Sequence, residues 1–110
     1  MADYSVLTEF LNLSNIKVVQ YQLVGQDPIN LFVEPTLEMG LCPECNQAST
    51  AIYKIGEPQM VRDLAIWDRQ CWLRLEPRRF KCPSCQATFV ERLAWREPGR
   101  EYTMRYEQHI

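Results

Sequence analysis

Histidine is almost missing from this chain: one residue, His109, in 110. A catalytic zinc site of the nitrogen-rich kind therefore has little to build from, and His109, close to the end, is given no role. Glycine is scarce as well, with four in all and no glycine-rich phosphate loop, and no nucleophile elbow or paired acid and base appears. No stretch approaches the ~18 consecutive apolar residues of a membrane span, and the N-terminus lacks the basic, apolar and small-residue succession of a signal peptide. These absences set the expectation of a cytoplasmic chain with no membrane and no small-molecule substrate. In that reducing compartment, paired cysteines point to metal rather than to disulfides.

Cysteine is what the chain does have. Of five, four form the pairs Cys42-Pro-Glu-Cys45 and Cys82-Pro-Ser-Cys85. Each pair can wrap one side of a tetrahedral ion, and Pro43 and Pro83 favour the tight turn that aims both sulfurs and nearby N–H groups inward. Two such turns facing each other make a zinc ribbon. Thirty-six residues separate Cys45 from Cys82, more than the roughly 15–20 of the commonest four-cysteine spacing, and strands between them account for the excess. Four thiolates leave no open position, which describes a structural ion, one per chain. An iron–sulfur centre uses the same donors and the spacing leaves it open; thiol exchange fits less well with two pairs in one small region. Cys71 falls on the apolar face of an alternating strand, as a small buried hydrophobe would.

The pattern around these pairs is α+β and β-dominated. Residues 3 to 13 predict a short amphipathic helix, capped by Asp3 or Ser5, with Val6, Leu7, Phe10 and Leu11 on its apolar side and Leu13-Ser14-Asn15 ending it. Ile16 to Val24 and Ile29 to Val33 predict a hairpin around Gly25-Gln26-Asp27-Pro28, with Tyr21, Leu23 and Phe32 facing the helix. Strands are expected over Ala48 to Ile55, Met60 to Leu64, Gln70 to Glu76 and Arg78 to Lys81, with Phe89 to Leu93 leading away. Thr103 to Ile110, after the Glu97-Pro98-Gly99 loop, opens a helix. The expected division is 1–38 (helix and hairpin packed on the ribbon), 39–96 (the ribbon) and 97–110 (linker and helix start).

Charge is unevenly shared. Residues 1–60 carry two basic and seven acidic side chains, whereas residues 61–110 carry ten and seven. The second half is the candidate for meeting a polyanion. Arg78, Arg79 and Lys81 enter the second cysteine turn and could neutralise phosphates; alternatively Arg78 or Arg79 pairs with Asp63 or Glu91, and alternation points the two arginines opposite ways. Arg92, Arg96, Arg100 and Arg105, interleaved with Glu91, Glu97, Glu101 and Glu107, read as a solvated mixed face in preference to a basic groove. Trp67, Trp72 and Trp95 could stack on bases or anchor a partner, but core or interface packing is the preferred reading.

From Leu41 to Trp95 the chain resembles the N-terminal zinc-binding domain of transposases of the ISL-three insertion-sequence family. The resemblance rests on LCPEC, Arg62-Asp63-Leu64, the alternating strand, Arg78-Arg79-Phe80 before CPSC, and Phe89 with Glu91. It implies Cys42, Cys45, Cys82 and Cys85 as zinc ligands, DNA at transposon ends as partner, and association with the nucleoid when DNA is bound, in a prokaryotic setting. In that family a helix-turn-helix segment and an acidic-triad catalytic domain follow; neither pattern occurs in these residues, so no transposition chemistry is expected of them alone. The sequence departs from the pattern at Ala65, where proline is frequent, and at Asn46 and Gln86, where glycine often follows the turn. Gln accepts a left-handed conformation less readily than Asn, so a differently shaped second turn is expected. The competing reading is a protein-interaction module, self-associating through the acidic N-terminal half, with a purely structural ribbon and no DNA contact.

Overall fold

The structure is a computed structural model and describes residues 4–66, 68–97 and 99–109. Asp3, Trp67, Pro98 and Ile110 lie outside the described residues. The chain opens with α1 (Ser5–Leu11), followed by an antiparallel hairpin of β1 (Ile16–Leu23) and β2 (Ile29–Pro35). Tyr4 is the N-cap, without a side-chain cap, so Ser5 is the first helical residue and not the cap; the helix stops early, at Leu11. Asn12 takes the left-handed conformation (φ 52°) and donates its N–H to Thr8 O, a glycine-like C-cap that asparagine tolerates. Leu11 is buried and Leu7 packs on the core, but Val6 and Phe10 are turned outward, so the apolar stripe is narrower than its spacing suggests.

Beyond β2 the chain enters β3 (Gly40–Leu41), the first cysteine turn and β4 (Ala48–Ser49), then β5 (Ile52–Ile55), β6 (Gln59–Ile66) and β7 (Arg69–Leu75). β8 (Arg78–Lys81) leads into the second cysteine turn, β9 (Thr88–Val90) leaves it, and α2 (Met104–His109) ends the described chain. The expected strand over 48–55 is two strands because the chain changes partner there: β4 pairs with β3, and β5 with β8. Ser49, 2% exposed, fixes the switch by donating Oγ to Lys81 O (2.6 Å) and accepting the Ala51 N–H.

The strands form a four-stranded sheet in the order β1-β2-β7-β6, a three-stranded sheet β5-β8-β9, and the small β3-β4 hairpin. β2 and β7 run parallel, from Ile29 beside Cys71 to Phe32 beside Arg74. A parallel pair needs a long crossover, and here the crossover contains the first cysteine turn. The β6-β7 hairpin, lying between the two cysteine pairs in sequence, thereby joins the sheet of the N-terminal hairpin.

One face of that sheet is the main core. Ile29, Leu31 and Val33 on β2 alternate inward with Cys71, Leu73 and Leu75 on β7, covered by Leu11 and Trp95, whose Nε1 donates to Ser14 O. Burying such a side chain contributes roughly 1.5–3 kcal/mol. Phe32 lies on the opposite face, under Arg74 at 5.0 Å, rather than against the helix. Tyr21 and Leu23, opposite Leu31 and Ile29, share the core side but stay 44% and 50% exposed; Tyr4 meets Tyr21 edge-on. The other edge, β6, is covered by residues 101–103: Arg62 N–H donates to Glu101 O and Thr103 N–H to Arg62 O.

Candidate metal centre

The two cysteine turns are built alike. In the first, Cys42 N–H donates to Gln47 O (2.9 Å) and Asn46 N–H to Cys42 O (2.8 Å); in the second, Cys82 N–H donates to Ala87 O (2.8 Å) and Gln86 N–H to Cys82 O (3.1 Å). Asn46 and Gln86 both adopt left-handed φ, 61° and 65°. The expectation of a differently shaped second turn is therefore overturned: the shared hydrogen-bond pattern imposes the conformation, and Gln86 bears the strain of a Cβ where glycine would have none.

Each turn hangs from a hairpin, β3-β4 or β8-β9, and the two face each other across a small second core. Phe80 and Phe89 stack there, centroids 5.8 Å apart, with the buried Cys42 and Cys82. Gly40 passes so close that a Cβ would stand 2.9 Å from Phe80 Cδ2 and 3.0 Å from Phe89 Cε2. This contact seats the first turn on the rings of the second.

The result is a cage of four sulfurs. Cys42, Cys45, Cys82 and Cys85 place their Sγ atoms within 4.8 Å of one another, with Cys42–Cys85 at 3.7 Å and Cys45–Cys82 at 3.3 Å. Tetrahedral zinc with bonds of about 2.3 Å needs sulfurs about 3.8 Å apart, so the cage fits the ion. Separations this large are not disulfide bonds, which need about 2.05 Å. The thiols are electrostatically unequal. The N–H groups of Cys85 and Ser84 draw the Cys82 thiol down to about 6, with its own burial opposing them. At Cys45 the Gln47 N–H favours the thiolate, but the Cys82 sulfur and desolvation outweigh it and push the thiol up to about 12. Cys85 is raised in the same way, against the Ala87 N–H, mainly by Cys82. Neighbouring sulfurs thus hold Cys45 and Cys85 protonated, and a dication would relieve that repulsion.

Cys71 is elsewhere, fully buried in the main core, where burial first and Asp63 second push its thiol up to about 12. It is no part of the cage.

The basic residues entering the second turn separate by alternation. Arg78 turns toward Glu91, with Nε donating to Oε1 (2.8 Å) and Nη2 to Oε2 (2.6 Å), and also reaches Leu37 O. Arg79 and Lys81 are exposed on the other side of β8. Asp63 pairs instead with Arg105, whose Nε donates to Oδ1 at 2.8 Å, and it also accepts from Thr103 Oγ1 at 2.8 Å. Arg96 bonds Gln59 and Arg100 O, and Arg100 approaches Glu107 at 3.9 Å. The arginines of 92–105 are thus largely committed to internal contacts, and only Arg92 has no hydrogen-bond or ion-pair partner among the described residues. Trp72 stacks on Arg62, whose guanidinium lies 5.4 Å from its ring and 5.0 Å from that of Tyr106.

Sequence reasoning passes over Lys54. Only the β5-β8 register places it opposite Arg79, exposed and on the same side. The three strands of this sheet, 52–55, 78–81 and 88–90, contain four basic residues and no acidic one. A groove of about 550 Å³ beside it is lined by Lys54, Arg79, Arg92 and Arg96, with Glu57 and the already paired Glu91.

Residues 38–85 match the family described as the zinc-finger of transposase IS204/IS1001/IS1096/IS1165. Among curated proteins, the transposase for insertion sequence element IS1001 of Bordetella parapertussis is 30% identical over 73 residues, covering 64% of this chain and 18% of that protein. The chain thus corresponds to a small part of that relative's length. No solved structure matches. The family match and the sulfur cage together support a structural zinc ion.

Proposed function

We propose that Cys42, Cys45, Cys82 and Cys85 hold one zinc ion and that the ribbon grips DNA; the match of residues 38–85 to the zinc-finger of insertion-sequence transposases supports this reading. The contact surface is the outer side of β5-β8-β9, where Lys54, Arg79 and Lys81 project away from the metal, with Arg92 at its rim. Bound zinc supplies a rigid, redox-inert clamp between the two turns and no open coordination position. The chain's own residues do the rest: Phe80, Phe89 and the Arg78–Glu91 fork fix the strand, and the cations beside it neutralise phosphates.

The observation that carries this reading is the segregation of charge. The whole chain is slightly acidic, at −2, yet this one sheet has cations without carboxylates. Contacts of this kind set position and register on the duplex and read little sequence. In a transposase that carries such a ribbon, that positioning would be at transposon ends or during assembly of the DNA complex.

Retardation of a short DNA duplex across a salt series tests it. About three to four phosphate contacts predict a slope of log affinity against log salt of roughly −3. Arg79→Ala and Lys81→Ala should each reduce the slope by about 1 while leaving one zinc per chain. Absence of retardation at low salt by the zinc-loaded chain would leave the ribbon a purely structural module.

A further inference from the structure

Sheet edges expose unpaired backbone groups, and this molecule treats its two long edges differently. Along β6, residues 101–103 cover the ladder. Along β1, the cover stops halfway. Thr8 Oγ1 accepts the outward N–H of Val18 at 2.9 Å, and a bulge between Val18 and Gln20 follows. After the bulge the strand is regular again, with Gln20 opposite Phe32, Tyr21 opposite Leu31, Gln22 opposite Asn30 and Leu23 opposite Ile29.

The direction of the backbone groups in this second half follows from one bond. Val24 N–H donates to Pro28 O at 2.9 Å, so Val24 faces β2. Antiparallel ladders alternate, so Gln22 and Gln20 also face β2, and the N–H and C=O groups of Tyr21 and Leu23 point away from the sheet. Among the described residues nothing bonds them. The stretch from Val19 to Val24 has no proline and no charge, the usual guards of an exposed edge. Its outward-paired residues are also half-exposed apolar side chains, Tyr21 and Leu23.

We propose that this half of β1 pairs antiparallel with the same strand of a second copy, across a two-fold axis at Gln22. In that register Tyr21 of each copy meets Leu23 of the other as a hydrogen-bonded pair, which uses all the outward groups of both residues. Their side chains then cover each other on the α1 side of the sheet. Charge does not oppose it: the pairing stretch, Val19 to Val24, is uncharged, so no like charges meet across the two strands. A two-fold axis makes the contact self-complementary and closed, joining two four-stranded sheets into one. The cationic face of β5-β8-β9 belongs to the other sheet and takes no part, so this pairing stands or falls apart from DNA binding.

Sedimentation equilibrium of the zinc-loaded full chain tests the proposal. The wild type should move from one to two chains of 13.0 kDa as concentration rises. Leu23→Pro removes an outward N–H without touching the β1-β2 ladder, and proline is tolerated at such an edge. Leu23→Lys places a charge there and serves if the proline variant does not fold. Either variant, with one zinc per chain and unchanged circular dichroism, should raise the dissociation constant at least about tenfold. A wild type that stays monomeric throughout, or folded variants that dimerise as the wild type does, overturns the proposal.

Discussion

Arg78 closes on Glu91 as a two-pronged fork, at 2.8 and 2.6 Å, while its neighbour Arg79 stands exposed on the opposite side of the strand. The pair at Arg78 is nearly covered, with side chains 14% and 9% exposed, and Glu91 N–H returns to Arg78 O. Adjacent residues of one charge therefore hold different posts.

Substitutions at the two arginines should separate cleanly. Arg78→Ala strands Glu91 in a poorly hydrated place and should lower unfolding free energy by roughly 2–3 kcal/mol, read from urea denaturation. Arg79→Ala should change stability by less than about 0.5 kcal/mol and weaken DNA retardation instead. Equal destabilisation by both would deny the division of labour.

Gln86 bears a left-handed backbone, φ 65°. Gln86→Gly removes the clash of Cβ with the backbone and should stabilise the zinc-loaded chain by about 1 kcal/mol, although it loses an exposed contact to Pro83 O. Asn46→Gly should gain less, since asparagine already tolerates this region. Thermal midpoints of the three proteins decide it.

Gly40→Ala should have the opposite sign. The added methyl meets both aromatic rings behind the cage, and overpacking of this kind costs about 1–3 kcal/mol. The melting temperature should fall, and zinc should leave more readily to a competing chelator.

The Cys71 thiol ionises near 9 in an open chain, and burial with Asp63 nearby holds it at about 12 in the fold. A raised acid pKa favours the protonated folded state, so its contribution is complete below about pH 9 and is lost as pH climbs toward 12. Stability should decline across that alkaline window, and less steeply in Cys71→Ala. At pH 8 the thiol should resist alkylation until the chain unfolds.

Much of this architecture can be read along the chain, because it is written in local pattern. The alternation from Gln70 to Glu76 puts Cys71, Leu73 and Leu75 inside, and the short helix and first hairpin follow from spacing and turn residues. Non-local choices are not written that way. Phe32, Tyr21 and Leu23 look like one apolar face until the bulge after Val18 and the pairing of β2 with β7 sort them to different sides. The strand from Ala48 breaks at Ser49 because its hydroxyl is needed across the two turns. Lys54 gains meaning only opposite Arg79. Asp63, in the Arg62-Asp63-Leu64 run, is revealed as the anchor for Thr103 and Arg105 of the C-terminal segment. Sequence shows the cysteine pairs, but whether four sulfurs converge to within 4.8 Å is a property of two hairpins meeting.

The most direct test of the account is metal content followed by chelation of protein purified without added zinc. One zinc per chain is predicted, with the β5-β8-β9 sheet losing amide protection once the ion is removed, because the core of Phe80, Phe89, Cys42 and Cys82 is too small to stand without it. A metal-free chain that kept the same protection pattern, or one that bound no zinc, would contradict the central claim.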